Sequence, residues 1–378
     1  MILTCSFFEI ILPYLSWEDI SLLDQAILGD KRPELLLAYQ SKRNDFSKLK
    51  FTFNSNIGLE NDKFVRWAGL RRIHYSRLSL SMWDDSGENV RTDILLYLSG
   101  LTGLKKIGLQ NAVDEQLQHL PLLTSLKTLH FQDYINDEIT DDGLQHLSTM
   151  TNLTDLSLHG LTAITDDGLK HLRSLKKLEI LDLCGADKIT NKGLEVLSTL
   201  TNLKTLEFCF AEPDETGHRD LHISDLGLQH LSTLTNLTTL YVNFNPFILN
   251  DDDNYESRFT EKGLQHLSRL TNLKDLTLLN TNIENDAFRH LAGLTKMESL
   301  NIEGSKIGDG LRFLTRMNNL KSLIIDSCPV KNEDLRHLSG LTQLTDLNLR
   351  HCDITADGLH HLSKLSLRNL KTNLASPR

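Results

Sequence analysis

MTNLTDLSLHGLTAITDDGLKHLRS, residues 150–174, is the stretch that decides the fold. Its opening phrase returns as LTNLKTLEF at 200–208, LTNLTTLYV at 234–242, LTNLKDLTL at 270–278 and LTQLTDLNL at 341–349. The apolar residue that opens each phrase falls at Leu101, Leu123, Met150, Leu175, Leu200, Leu234, Leu270, Leu294, Met317, Leu341 and Leu365. The successive spacings are 22, 27, 25, 25, 34, 36, 24, 23, 24 and 24 residues. A period in this range means a solenoid, because a unit this small cannot bury its own apolar face and must stack on its neighbours. Leu78, Leu80, Ile94, Leu95 and Leu98 make a degenerate earlier unit, and RNLKTNL at 368–374 starts one more strand.

Each unit carries two apolar rhythms. Leu156 and Leu158 have the period of two of a half-buried strand, and Leu153 precedes them. Ile164 then turns inward. Thr165 and Asp166 can cap a short helix, and Asp167 complements its N-terminal dipole. Leu169 and Leu172 form that helix's buried stripe. The expected object is an α/β horseshoe of about eleven units over residues 77–374, with parallel strands on the concave face and short helices on the convex face.

Three residues past the last strand leucine runs the series Ala112, Tyr134, Leu161, Ala186, Ala211, Asn245, Thr281, Ser305, Cys328 and Cys352. Most are small or can hydrogen-bond within the turn. With the ITDDGL phrase, this series resembles the cysteine-containing class of leucine-rich repeats, found in F-box proteins and bacterial effectors. The resemblance covers roughly residues 75–374. It is specific for fold and weak for function, which resides in sites grafted on a fold.

Residues 1–74 lack the repeat. Phe7–Leu28 reads as two helices, with Ser16 capping the second and Asp19 at its capping-box position. Ile11, Leu12, Tyr14, Leu15, Ser16, Asp19, Ile20 and Leu23 resemble the core of a degenerate F-box, without the usual Leu-Pro opening and Cys-Lys-Arg-Trp ending. The resemblance implies that Ile11, Leu12, Tyr14, Leu15, Asp19, Ile20 and Leu23 contact the small adaptor subunit of a cullin-type ubiquitin ligase. The repeats would then hold the target protein. The alternative is a helical cap over the raw end of the solenoid, in a scaffold or effector. Either way residues 1–45 form the helical segment, 46–76 join it to the solenoid, and 375–378 are a tail.

Composition is globular: 378 residues, 40% hydrophobic, 24% charged, net charge −10. That balance disfavours nucleic acid as a partner. No segment reads as a membrane span, and the start lacks the basic region of a signal peptide. The five cysteines, Cys5, Cys184, Cys209, Cys328 and Cys352, are odd in number and far apart in sequence, and no CxxC occurs. They read as thiols of a reduced compartment, so the chain is placed in the cytoplasm, with the nucleus as the alternative. The NLT sequons at Asn152 and Asn236 sit in tight turns and read as structural.

Strand residues beside the core leucines point into the groove. Among them the acids Asp155, Asp182, Glu207, Asp275, Glu303, Asp326 and Asp346 outnumber the bases Lys106 and Arg350. Ile180, Cys184, Cys209, Tyr241, Leu279 and Ile324 supply apolar anchors. Such a groove suits a basic protein segment; plain polar solvation of strand residues is the bland reading. The candidate contacts are Asp155, Asp182, Glu207, Tyr241, Asp275, Glu303 and Asp326. Two insertions, 211–222 and 245–258, leave from one rim, and the second carries the apolar Phe247, Ile248 and Leu249.

His119, His146, His171, His230, His266, His290, His337 and His361 all occupy the GLxHL position. They read as repeat consensus, not as metal ligands. His218 and His222 in the first insertion are a weak metal signal. No nucleophile–base set or cofactor fingerprint is present. The expectation is a binding protein with no enzymatic activity, cofactor or metal.

Overall fold

A computed structural model describes the backbone of residues 77–81, then Leu95, Leu98, 103–133, 135–209, 223–243, 259–279, 281 and 283–374. The F-box-like phrase, the 46–76 join, both insertions with Phe247, Ile248 and Leu249, the loop histidines, and Tyr134, Ala211 and Asn245 lie outside the described residues.

Twelve strands form one parallel sheet in sequence order. They are β1 Arg77–Ser81, β2 Lys106–Gln110, β3 Thr128–Phe131, β4 Asp155–Ser157, β5 Ile180–Asp182, β6 Thr205–Cys209, β7 Thr239–Asn243, β8 Asp275–Leu279, β9 Ser299–Asn301, β10 Ser322–Ile324, β11 Asp346–Asn348 and β12 Asn369–Lys371. The register never slips: Leu156, Leu181, Leu206, Leu240 and Leu276 pair in turn. A one-residue slip would turn every leucine to solvent, so the apolar pattern fixes the pairing. The fold is a leucine-rich repeat solenoid. Short helices form the opposite face, and because a helix is wider than the strand spacing of about 4.8 Å, the sheet lies on the inner side.

The unit around β4 shows how a coil is filled. Leu153, Leu156, Leu158, Leu161, Ile164, Leu169, Leu172 and Leu175 are all fully buried. Each buried leucine contributes about 1.5–3 kcal/mol of hydrophobic stabilisation. The small-residue series lies inside as expected: Ala112, Leu161, Ala186, Thr281, Ser305 and Cys328 are buried. The cysteines also reach back one coil, Cys328 Sγ to Ile302 O at 3.4 Å and Cys352 Sγ to Ile325 O at 3.2 Å. The chain leaves several strands through left-handed residues; Gly185 has φ +83°, and a Cβ there would lie 3.1 Å from Gly160 Cα.

As far as Glu261–Leu267 each convex element begins as an α-helix, followed by a short 3-10 turn at Leu120–Leu122, His146–Thr149 and His171–Ser174; from Asn285–Leu291 onward the elements are 3-10 throughout. Their N-termini hold a second ladder. Thr165 caps its own helix, accepting from Asp167 N–H at 3.2 Å. Asp166 does not cap its own helix, contrary to the sequence expectation. It accepts from Thr190 of the next coil, N–H at 2.8 Å and hydroxyl at 2.6 Å. The same pair joins Asp114 to Thr140, Asp141 to Thr165 and Asp225 to Thr260. Asn191 to Ser224 and Asn332 to Thr355 keep the geometry, with the amide donating to the hydroxyl. The following glycine makes room for the arriving side chain: a Cβ at Gly227 would lie 2.6 Å from Asn191 Oδ1. TDDG is thus one device, in which Thr receives, Asp reaches forward and Gly yields space.

At the other end of each helix-to-strand turn, Asn152 donates to Thr124 O at 3.1 Å and Asn236 to Thr201 O at 2.8 Å. Both asparagines of the NLT sequons therefore serve coil-to-coil hydrogen bonding, as their place in tight turns implied.

Asp166→Ala should cost about 1–3 kcal/mol, because it strands the Thr190 N–H and hydroxyl without their acceptor. Asp167→Ala, on the exposed side of the same turn, should cost clearly less. Urea unfolding of the two variants checks the order; equal midpoints would remove the ladder from the account of stability.

Candidate protein-binding face

The unbroken register turns the sheet face into three rows that run across the strands. The first row contains Asp155, Ile180, Thr205, Thr239, Asp275 and Ser299. The second contains His130, Ser157, Asp182, Glu207, Tyr241, Thr277 and Asn301. Two residues further on, His159, Cys184, Cys209, Asn243, Leu279, Glu303, Asp326 and Arg350 continue the strands as a third row. All seven candidate contacts lie on this face. The structure groups four of them into two acid pairs, Asp182 with Glu207 and Glu303 with Asp326. Asp155, Tyr241 and Asp275 stand apart from those pairs.

Asp155 Oδ1 lies 2.9 Å from His130 Nε2, within hydrogen-bonding distance. Asp182 is held from several sides. It accepts from Ser157 Oγ and from Cys184 N–H, both at 2.9 Å, and His159 Nδ1 stands 3.5 Å away. Its neighbour Glu207 is pushed above the ordinary 4.5 of a glutamate, first by burial and then by the charge of Asp182, with His159 opposing. The far pair repeats the pattern. Burial and then Asp326 raise Glu303, with His351 opposing. Burial also acts to raise Asp326, but hydrogen bonds from His351, Ser327 and Asn348 and the charge of His351 outweigh it, and its carboxyl sits below 3.8. His351 Nδ1 is 2.8 Å from Asp326.

The two acid pairs are four strands apart, a separation of roughly 19 Å at ordinary strand spacing. Tyr241, Leu279 and Ile324 lie between or beside them, half-buried, and Ile180 is 40% exposed. The face therefore offers two anionic positions joined by a partly apolar floor. A cation that approaches Glu207 or Glu303 meets a carboxyl whose ionised form gains from its arrival.

Two of the expected apolar anchors are corrected. Cys184 and Cys209 are not separate groove thiols: they form a disulfide between neighbouring coils, Cα atoms 4.4 Å apart. Cys184 is buried. The reading of all five cysteines as thiols fails because the 25 residues between them equal the local repeat period, which places them side by side in the sheet. The same arithmetic brings His159 alongside. His159, Asp182 and Cys184 each offer a ligand atom, and these atoms lie within 4.8 Å of one another. The group is hidden in linear order, because His159 belongs to one coil and Asp182 and Cys184 to the next. The consensus histidines behave differently: each is half-buried on the convex side, in its own coil. None of them belongs to a metal-capable group among the described residues.

No family model and no curated protein matches this chain. Solved structures similar to it include an internalin from Listeria monocytogenes, at 20% identity and TM-score 0.47, covering 85% of this chain and 96% of that one. The plant peptide hormone receptor RGFR1 in complex with RGF2 is similar at 14% identity and TM-score 0.44, covering 79% of this chain and 48% of that one. Among the described residues, no helix is long and apolar enough to cross a membrane.

The raised carboxyl of Glu207 fixes a pH signature. Its proton is held more tightly in the folded state, so its contribution to stability worsens as pH climbs past 4.5. Glu207→Gln should therefore melt above the parent at pH about 7, with the gap closing in acid. Asp326→Asn should do the reverse at neutral pH, since a depressed carboxyl stabilises above its ordinary range and loses that as pH falls. Thermal melts across pH check both signs.

Proposed function

We propose that this chain is a non-catalytic recognition module that holds a basic protein segment across its sheet face. One observation carries the reading: two half-buried acid pairs are set on a rigid sheet, with an apolar floor between them. Rigid strands place the charges without an ordering cost at the moment of binding, and complementary charge steers the partner and sets its register. A basic segment in extended form would place cationic side chains at both pairs and apolar ones on Tyr241, Leu279 or Ile324.

The finer reading is a substrate-recognition subunit of a cullin-type ubiquitin ligase. Its support is the Ile11–Leu23 phrase ahead of repeats of this class. In that role Ile11, Leu12, Tyr14, Leu15, Asp19, Ile20 and Leu23 engage the adaptor and the sheet face holds the target. A cytoplasmic or nuclear location follows from this reading. A second reading, in which the N-terminal helices only cap the core, draws on Leu95 and Leu98, which are fully buried at the first coils. A solenoid end needs such a cover.

Charge reversal at Glu207, Asp275 and Glu303 to lysine should leave the far-ultraviolet spectrum unchanged. It should weaken a lysine- and arginine-rich peptide library hit by at least roughly tenfold, with a shallower salt dependence. Unchanged affinity would move recognition off the sheet face. For the ligase role, the full chain should co-purify with the adaptor, and Leu12→Asp with Leu15→Asp should abolish this without touching peptide binding. No adaptor recovered with the parent chain would refute that role. Loss of folding in the double variant would instead support the cap.

A further inference from the structure

Three consecutive coils bring His159, Cys184 and Cys209 onto one row, two residues past the paired Ser157, Asp182 and Glu207. The ladder continues there, Gly160 N–H to Cys184 O and Gly185 N–H to Cys209 O, both at 2.7 Å. Asp182 lies on the same face, two residues before Cys184. We propose that the reduced chain binds one zinc-like divalent cation between His159 Nδ1, an Asp182 oxygen, Cys184 Sγ and Cys209 Sγ.

The geometry and the donor chemistry agree. Tetrahedral zinc with bonds of about 2.0–2.3 Å spaces its ligand atoms by roughly 3.3–3.8 Å. His159 Nδ1 and Asp182 Oδ2 already stand at 3.5 Å, and the three ligand atoms of His159, Asp182 and Cys184 lie within 4.8 Å of one another. Cys209 brings a second sulfur to the same place through its bond to Cys184. Two thiolates and an imidazole select a soft or borderline ion over magnesium or calcium. Ser157 Oγ and the Cys184 N–H hold the Asp182 carboxylate in orientation, the role usual for partners behind a metal ligand. The histidine is 45% exposed, so its ring can turn onto an ion without disturbing the core.

The sulfurs are bonded to each other in this structure, so the site exists in the reduced chain alone. A dithiol reductant opens it: the reductant's two thiols supply two electrons and two protons, Cys184 and Cys209 become thiols, and the reductant leaves as its disulfide. Binding then displaces the two thiol protons to water and leaves two sulfur–metal bonds. The same pair of residues thus switches between a cross-coil disulfide and a metal site on the face that meets a partner. This inference does not depend on which partner that is.

Cobalt(II) is the direct probe. The full chain, reduced with a phosphine and desalted without oxygen, should take up one equivalent, with thiolate-to-metal charge transfer and the visible bands of a tetrahedral ion. Zinc should displace it. The oxidised chain should show neither band. Cys184→Ser and Cys209→Ser should each lose most of the charge-transfer absorption, and Ser157→Ala should weaken binding roughly tenfold. His159→Ala should weaken it at least as much. Cys328→Ser with Cys352→Ser, and His218→Ala with His222→Ala, should leave it intact. Zinc should also shield Cys184 and Cys209 of the unaltered chain from alkylation, a readout that needs no variant to fold. A reduced parent chain with no charge-transfer band, a band that survives loss of both cysteines, or alkylation indifferent to zinc would each overturn the proposal.

Discussion

Every coil must lie at the hydrogen-bonding distance of a parallel sheet from the next, and the rest of the molecule follows from that spacing. Strand pairing imposes it on one side, about 4.8 Å per coil. The helical side has no continuous strand ladder, and because its helices are wider than the strand spacing it fans out as the convex face. Asp-to-Thr hydrogen bonds tie its coils instead: as far as Thr260, each helix start is joined to the one before through a carboxylate or amide and a hydroxyl. Glycine follows because the arriving side chain occupies the space a Cβ would need. The asparagine at the strand entry and the cysteine after the strand add further ties between coils. From Asn285–Leu291 onward the convex elements are 3-10 turns, and the N-caps Glu284, Ile307 and Lys331 carry no capping hydroxyl. The Asn332–Thr355 pair restores the tie between the last coils.

The same spacing builds the functional face. Rows across a sheet put chemically unrelated parts of the sequence beside each other at fixed intervals, so a position repeated in successive units becomes a line of neighbours. Acids in such a line feel each other. That is why Glu207 beside Asp182, and Glu303 beside Asp326, respond to burial and to a like charge together. It is also why a histidine and two cysteines, each unremarkable in its own repeat, converge.

Much of this was legible in the chain. The alternation of Leu156 and Leu158 gave the strand, its faces and its register, and Thr165 announced the helix start. Counting in units of the period also assigned the GLxHL histidines to the convex side. Less legible was anything that needs two coils at once. Asp166 reads locally as part of a cap, yet its partner Thr190 is 24 residues on. Cys184 and Cys209 read as distant, although 25 residues is one turn of this solenoid. The signal was there in the second case, since the separation equals the period; what a linear reading lacks is the rule that equal phase means contact.

The sequence by itself determined the repeat, the parallel strands, the inward leucines and the acidic character of the groove. These are consequences of local periodicity, and a period of two or of one coil is written in the order of residues. Only the tertiary structure decided which groups pair with one another, which carboxyls are pushed up, and that two cysteines and a histidine lie side by side on the sheet face. Those properties depend on distances between coils, which the sheet sets through hydrogen bonds that no single repeat can make alone.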